Sequence, residues 1–212
     1  MISRRLSEDE KKTLLKMAEF IKDKHAGSEG HSYSHVIEVA ETAIEIAKKI
    51  PEETDPFIVM AGALFHDIGR VNRESGMLHG LEGGAIAEEY LESIGLDPET
   101  VNRITRIVVR HTPTSMIPPE TAEEKVVYDA DTLERLGWVG VLRGLMGKKG
   151  SIESIFERVI KKRESDYGKL HYDVSKEMGK RDYEDLKFLI GRMKEALEKR
   201  KEEIERIEFL EE

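Results

Sequence analysis

The string Ala-Leu-Phe-His-Asp-Ile-Gly-Arg at residues 63–70 sets two metal-ligand side chains, His66 and Asp67, side by side. Phe57, Ala61, Leu64 and Phe65 precede them, so the segment reads as a largely buried helix. Neighbours on a helix point about 100° apart, which lets an imidazole and a carboxylate converge on an ion beside it. A buried carboxylate near a helix C-terminus is disfavoured by the macrodipole and needs compensation, which a divalent cation supplies. A hydrogen-bonded His–Asp pair in a core has the same signature, so the dipeptide alone does not decide. Other residues add weight. His31 and His35 are four apart and share a helix face. His111 falls on the stripe of Ile104, Ile107 and Val108, where a satisfied core histidine is the ordinary alternative. Asp131 lies between Ala130 and Leu133 on another apolar segment and wants a partner. Four segments thus each turn a nitrogen or carboxylate ligand inward. Such a donor set suits Mn, Fe, Co, Ni or Zn better than Ca, and an ion held there would draw the pKa of a water towards neutrality.

The elements that must position these groups are all predicted helices. Ser7 with Glu10 forms a capping box before Leu14, Leu15, Ala18 and Ile21. A second helix begins near Ser34 and runs through Val36, Val39, Ala43 and Ala47 to Pro51. Asp55–Pro56 opens a third, predicted to end near Gly69. The fourth spans about Gly80 to Ile94 and is closed by Gly95; Asp97–Pro98 opens the fifth. Pro113, Pro118 and Pro119 mark a loop. Glu123 to Leu136 and Trp138 to Met146 follow, and Gly147 to Gly150 is a break. Beyond it, Ile152, Ile155, Phe156 and Val159, then Leu186, Leu189, Ile190, Met193 and Leu197, repeat with helical period. Nothing alternates with period two. The expected class is all-α.

Composition bounds the function. The 212 residues fit one domain with a helical extension, and cysteine is absent, which excludes thiolate sites and disulfides. A net charge of −9 disfavours general nucleic-acid binding. The longest apolar stretch, Phe57 to Phe65, is too short for a membrane span, and no signal-like run opens the chain. The expected location is cytoplasmic. Charged residues reach 36%, glutamine is absent, and Asn72 and Asn102 are the only asparagines. That balance fits a thermophile, and equally the solvated faces of long helices. His25 and His171 have no evident partner and read as surface residues.

The order of these residues resembles the HD superfamily of metal-dependent phosphohydrolases. The resemblance covers roughly His31 to Gly140, about half the chain. It rests on His-Ser-Tyr-Ser-His-Val at 31–36, His-Asp-Ile-Gly-Arg at 66–70, and Asp-Ala-Asp-Thr-Leu-Glu-Arg-Leu-Gly at 129–137. It implies an HD helical bundle over about 31–140, an extension over about 150–212, and metal ligands His35, His66, Asp67 and Asp131. Leu-His-Gly at 78–80 and Arg-His-Thr at 110–112 resemble branches with two metals, in which His79 and His111 would hold the second ion and Asp67 would bridge. The third string is closer to a less characterised branch. The implied activity is hydrolysis of a phosphomonoester or phosphoanhydride, on a small-molecule substrate of nucleotide type, with one or two divalent transition-metal ions. By the same resemblance Asp67 and His66 belong to the catalytic set. Arg70 would clamp a phosphate or be an ordinary surface arginine, His31 would assist the phosphate or cap its helix, and His79 and His111 would touch substrate if one metal suffices. Arg135, four residues after Asp131, reads as an ion-pair partner beside the metal. A di-iron oxygenase and a non-catalytic nucleotide sensor are the alternatives, and a homo-oligomer is compatible with the pattern.

Overall fold

A computed structural model describes residues 1–26, 32–71, 78–112 and 117–208. His31 lies outside the described residues. The chain is all-α; among the described residues the only strand-like pairing is an isolated bridge between Ile2 and Thr54. Helix α1 spans Glu8–Lys24, α2 Tyr33–Lys49, α3 Pro56–Phe65, α4 His79–Ser93, α5 Pro98–Arg110, α6 Ala122–Leu136 and α7 Trp138–Leu145. After these come a one-turn α8 (Ile152–Ile155), a π turn over Phe156–Ile160, short 3-10 turns, and the long α9 (Asp173–Glu208). Among the described residues no helix is long and apolar enough to cross a membrane.

Local chemistry sets the helix starts. The Ser7 hydroxyl accepts from the Glu10 N–H while the Glu10 carboxylate accepts from the Ser7 N–H. Asp55 accepts from Phe57 N–H ahead of Pro56, and Asp97 accepts from Thr100 N–H ahead of Pro98. Each such cap is worth about 1 kcal/mol. Thr121 and Glu124 make a second capping box, which starts α6 at Ala122. Gly95 (φ 81°) and Gly147 (φ 67°) occupy left-handed backbone after α4 and α7, a region open to glycine without steric cost.

Helix α2 packs on α3 and α6, and α4 packs on α5. α3 is buried along nearly its whole length, from Pro56 to Phe65, with Met60 alone partly exposed. It therefore has no solvated face, which explains its continuous apolar run. Phe156, Ile160, Leu170, Leu186 and Ile190 of the C-terminal segment join the same buried cluster as Met17, Ile46 and Phe65.

The predicted third helix ends earlier than Gly69. α3 stops at Phe65, His66 caps it, Asp67 leaves helical geometry (φ −103°, ψ 13°), and Ile68–Arg70 form a 3-10 turn. His66 and Asp67 are thus aimed by a chain bend, not by successive positions on a helix. That bend presses against α4. A Cβ at Gly69 would lie 2.0 Å from the His79 carbonyl oxygen and 2.8 Å from Gly83 N, so only glycine fits. Gly69→Ala is expected to destabilise the fold by about 1–3 kcal/mol. Gly168→Ala, whose Cβ would meet nothing within 4 Å, is the control. Thermal unfolding of both variants checks this, and equal melting temperatures would refute it.

Candidate metal centre

Six side chains meet where α2, the α3 bend, α4, α5 and α6 converge. His35, His66 and Asp131 offer ligand atoms that all lie within 4.8 Å of one another, and Asp67, His79 and His111 do the same. All six are buried. His35 Nε2 lies 3.1 Å from His66 Nε2 and 3.5 Å from Asp131 Oδ1. Asp67 divides its two oxygens between the groups. Its Oδ2 is 3.4 Å from His35 Nε2 and 3.5 Å from His66 Nε2, while Oδ1 is 3.5 Å from His111 Nε2.

Backbone carbonyls orient two of the imidazoles. His66 Nδ1 lies 2.7 Å from Ala63 O, and His111 Nδ1 lies 2.7 Å from Val108 O. Both nitrogens donate, since a carbonyl can only accept. The proton therefore sits on Nδ1, and the Nε2 lone pair faces the cluster, as ligation requires. His66 ends α3 and His111 caps α5, so each ring bonds the carbonyl three residues before it.

Charge in this pocket is tightly balanced. Burial opposes protonation of His35, but the Asp67 and Glu134 carboxylates beside it push its pKa up to about 9. Burial pushes His66 down. Burial also opposes ionisation of Asp131, yet His66 and His35 hold its carboxyl below the usual range. Asp131 is thus kept ionised among imidazoles, with the Asp67 carboxylate beside it. A divalent cation is the group that such a donor set fits.

Further residues surround the ligands. Glu134, one turn after Asp131 on α6, sits 3.5 Å from His35 Nδ1 and is also bonded by the Arg143 guanidinium. Arg70 Nε lies 3.6 Å from Asp67 Oδ1. Arg135 pairs with Asp166 of the C-terminal segment at 2.8 Å, and its charge also helps to hold the Asp131 carboxyl below the usual range.

A cavity of about 230 Å³ opens on Asp67, His111 and Asp131, and seven of its thirteen lining residues are Arg or Lys. Arg70, Arg135 and Arg143 come from the ligand-bearing region, whereas Lys148, Arg158, Lys162 and Arg163 come from beyond the Gly147 break. Sequence reasoning missed this wall. Its signal was present: Arg158, Lys162 and Arg163 are spaced to share one side of a helical segment, next to the π turn. Arg163 is mostly buried, and burial together with Arg135 and Arg143 holds its pKa down to about 10.

Of the two histidines read as surface residues without a partner, His25 is buried, whereas His171 is exposed but has a partner. His25 caps α1, where its backbone N–H bonds the Ile21 carbonyl, and its side chain is buried. His171 Nδ1 lies 2.9 Å from Asp129 Oδ1, and Asp129 also accepts from the backbone N–H groups of His171 and Tyr172. The fully buried Asp129 thereby ties the C-terminal segment to α6 two residues before Asp131.

A helical bundle that brings a His-Asp pair, further histidines and a late aspartate to one buried point defines the HD class of proteins. The HD domain profile matches residues 32–136, and the chain belongs to the HD-domain superfamily. Members of this family bind divalent metals. Among relatives, YpgQ of Bacillus subtilis is 36% identical over 131 residues, covering 58% of this chain and 60% of YpgQ. The chain thus spans less than two thirds of that relative. MJ0778 of Methanocaldococcus jannaschii is 31% identical over 159 residues, covering 67% and 80%. The structure of YpgQ in complex with ADP superposes with TM-score 0.66 at 25% identity, over 88% of this chain and 96% of that one. An HD-superfamily hydrolase from Bacillus thuringiensis shares the fold, with TM-score 0.62 at 19% identity over 89% and 98%.

Glu134 leads to a prediction. A carboxylate on the far nitrogen of a ligating histidine fixes its orientation, and losing it typically costs 10–100-fold in metal affinity. Glu134→Gln is expected to weaken cobalt binding about 10-fold or more, followed by visible absorption, with helicity retained. Unchanged affinity would mean that Glu134 serves Arg143 alone.

Proposed function

We propose that this chain is a metal-dependent phosphohydrolase acting on a phosphomonoester or phosphoanhydride of a nucleotide. The observation that carries this reading is the basic cavity that opens directly on Asp67, His111 and Asp131. A chain of net charge −9 has no general reason to gather seven cations around one opening. A phosphate chain gives such a group its purpose. The crowding of Arg135, Arg143 and Arg163 is electrostatically costly, and a bound anion would relieve it. YpgQ, whose structure holds ADP, makes a nucleotide the natural candidate.

In this reading His35, His66 and Asp131 would hold one divalent ion, and His79 and His111, with Asp67, a second. Ions held there supply Lewis acidity and make a water nucleophilic near neutral pH. The chain's own groups do the rest. Ala63 and Val108 carbonyls keep the His66 and His111 lone pairs turned inward. The cavity cations hold the phosphates, and Arg70, beside Asp67, contacts the phosphate at the ligands. An oxygenase would use the same ligands, but the seven cations would then have no part in the chemistry.

A screen of nucleoside mono-, di- and triphosphates and p-nitrophenyl phosphate with Mn, Fe, Co, Ni and Zn tests the proposal. Metal-stimulated release of phosphate or pyrophosphate, abolished by a chelator, is expected. Asp67→Ala should lose both activity and metal with helicity retained. Arg70→Ala should keep its metal and raise KM roughly 10-fold, in line with loss of one charged hydrogen bond. Full turnover by Asp67→Ala, or oxygen uptake by the iron form without phosphate release, would overturn the reading.

A further inference from the structure

Helix α7 has two contrasting faces. Gly140 and Val141 are buried, and Arg143 and Gly144 line the basic cavity. Trp138, Val139, Leu142 and Met146 form a stripe about 100° wide on the solvent side. These four are 50%, 67%, 66% and 54% exposed. The stripe continues onto α9. Trp138 Nε1 donates to Asp185 at 3.2 Å, and Phe188, three residues on from Asp185 on the same helix surface, is 69% exposed. Five large apolar side chains, each at least half in water, amount to roughly 500 Å² of contiguous surface, near the most that a monomer usually shows.

The patch is polar at its ends, with opposite signs. Asp185 and Asp182 flank Gly137 and Trp138 at the start of α7. Exposed Lys148 and Lys149 follow Met146 at its other end. We propose that this face is the two-fold interface of a homodimer, with α7 packed antiparallel on α7 of a second copy. A two-fold axis near Leu142 sets Trp138 of one chain against Met146 of the other. It also brings the aspartate end of each copy to the lysine end of its partner, the self-complementarity that an isologous contact needs. Two copies bury about 1,000 Å² from these side chains alone, the lower bound for a specific interface. An anionic lipid surface fits less well, because Asp182 and Asp185 would face its headgroups. The inference is independent of the proposed reaction.

Sedimentation velocity of the full chain from about 1 to 100 μM tests it. The wild type is expected at the mass of two chains, and Leu142→Glu at the mass of one with unchanged circular dichroism. Trp138 is the single tryptophan, so its emission should shift to the blue as the wild type associates. Lys149→Glu, which puts an acid opposite Asp185, should weaken association about 10-fold. A wild-type chain that stays monomeric at about 100 μM would overturn the proposal, as would a dimer indifferent to Leu142→Glu or to Lys149→Glu. Pelleting of a monomeric chain with phosphatidylserine vesicles, lost in Leu142→Glu, would assign the face to a membrane instead.

Discussion

The structure depends on one buried carboxylate at the floor of an open cavity. Asp67 is surrounded by His35, His66 and His111, with one oxygen turned to the first two and the other to the third. Taking a carboxylate out of water costs several kcal/mol unless opposite charge and hydrogen bonds offset it. Imidazoles offset it in part, as the raised pKa of His35 reflects. Divalent cations would do so more fully. The rest of the architecture can be understood as what holds Asp67 and its neighbours in register.

That register comes from backbone contacts as much as from side chains. α3 is encased by its neighbours, so its end is a rigid platform for His66 and Asp67. The Gly69 backbone then touches α4 beside His79, which ties the bend to a ligand of the second group. α6 carries Asp131 and Glu134 on the side facing His35, and Asp129 anchors the C-terminal segment two residues earlier. The same segment supplies Lys162 and Arg163 to the wall of the cavity. Ligands and cations, built by different parts of the chain, therefore share one opening.

Much of this was legible in the sequence, for identifiable reasons. Caps at Ser7, Asp55 and Asp97 depend on residues within three positions of one another, so they can be read locally. The inward placing of His35, His111 and Asp131 follows from helical periodicity. What escaped depends on contacts distant in sequence. The end of α3 at Phe65 is set by the approach of Gly69 to α4, which no local pattern encodes. Arg135 pairs with Asp166, 31 residues away, and His171 with Asp129, 42 residues away. The basic wall was hidden for the same reason: its members are ordinary charged residues until the fold gathers them.

In the proposed reaction Asp67 would lie between two cation sites. Anomalous diffraction from crystals grown in saturating manganese or cobalt tests it most directly. Two peaks are expected about 3.5–4 Å apart, one on each side of the Asp67 carboxylate. The first should fall among His35, His66 and Asp131, and the second beside His79 and His111. A single ion, or none within bonding distance of Asp67, would contradict it.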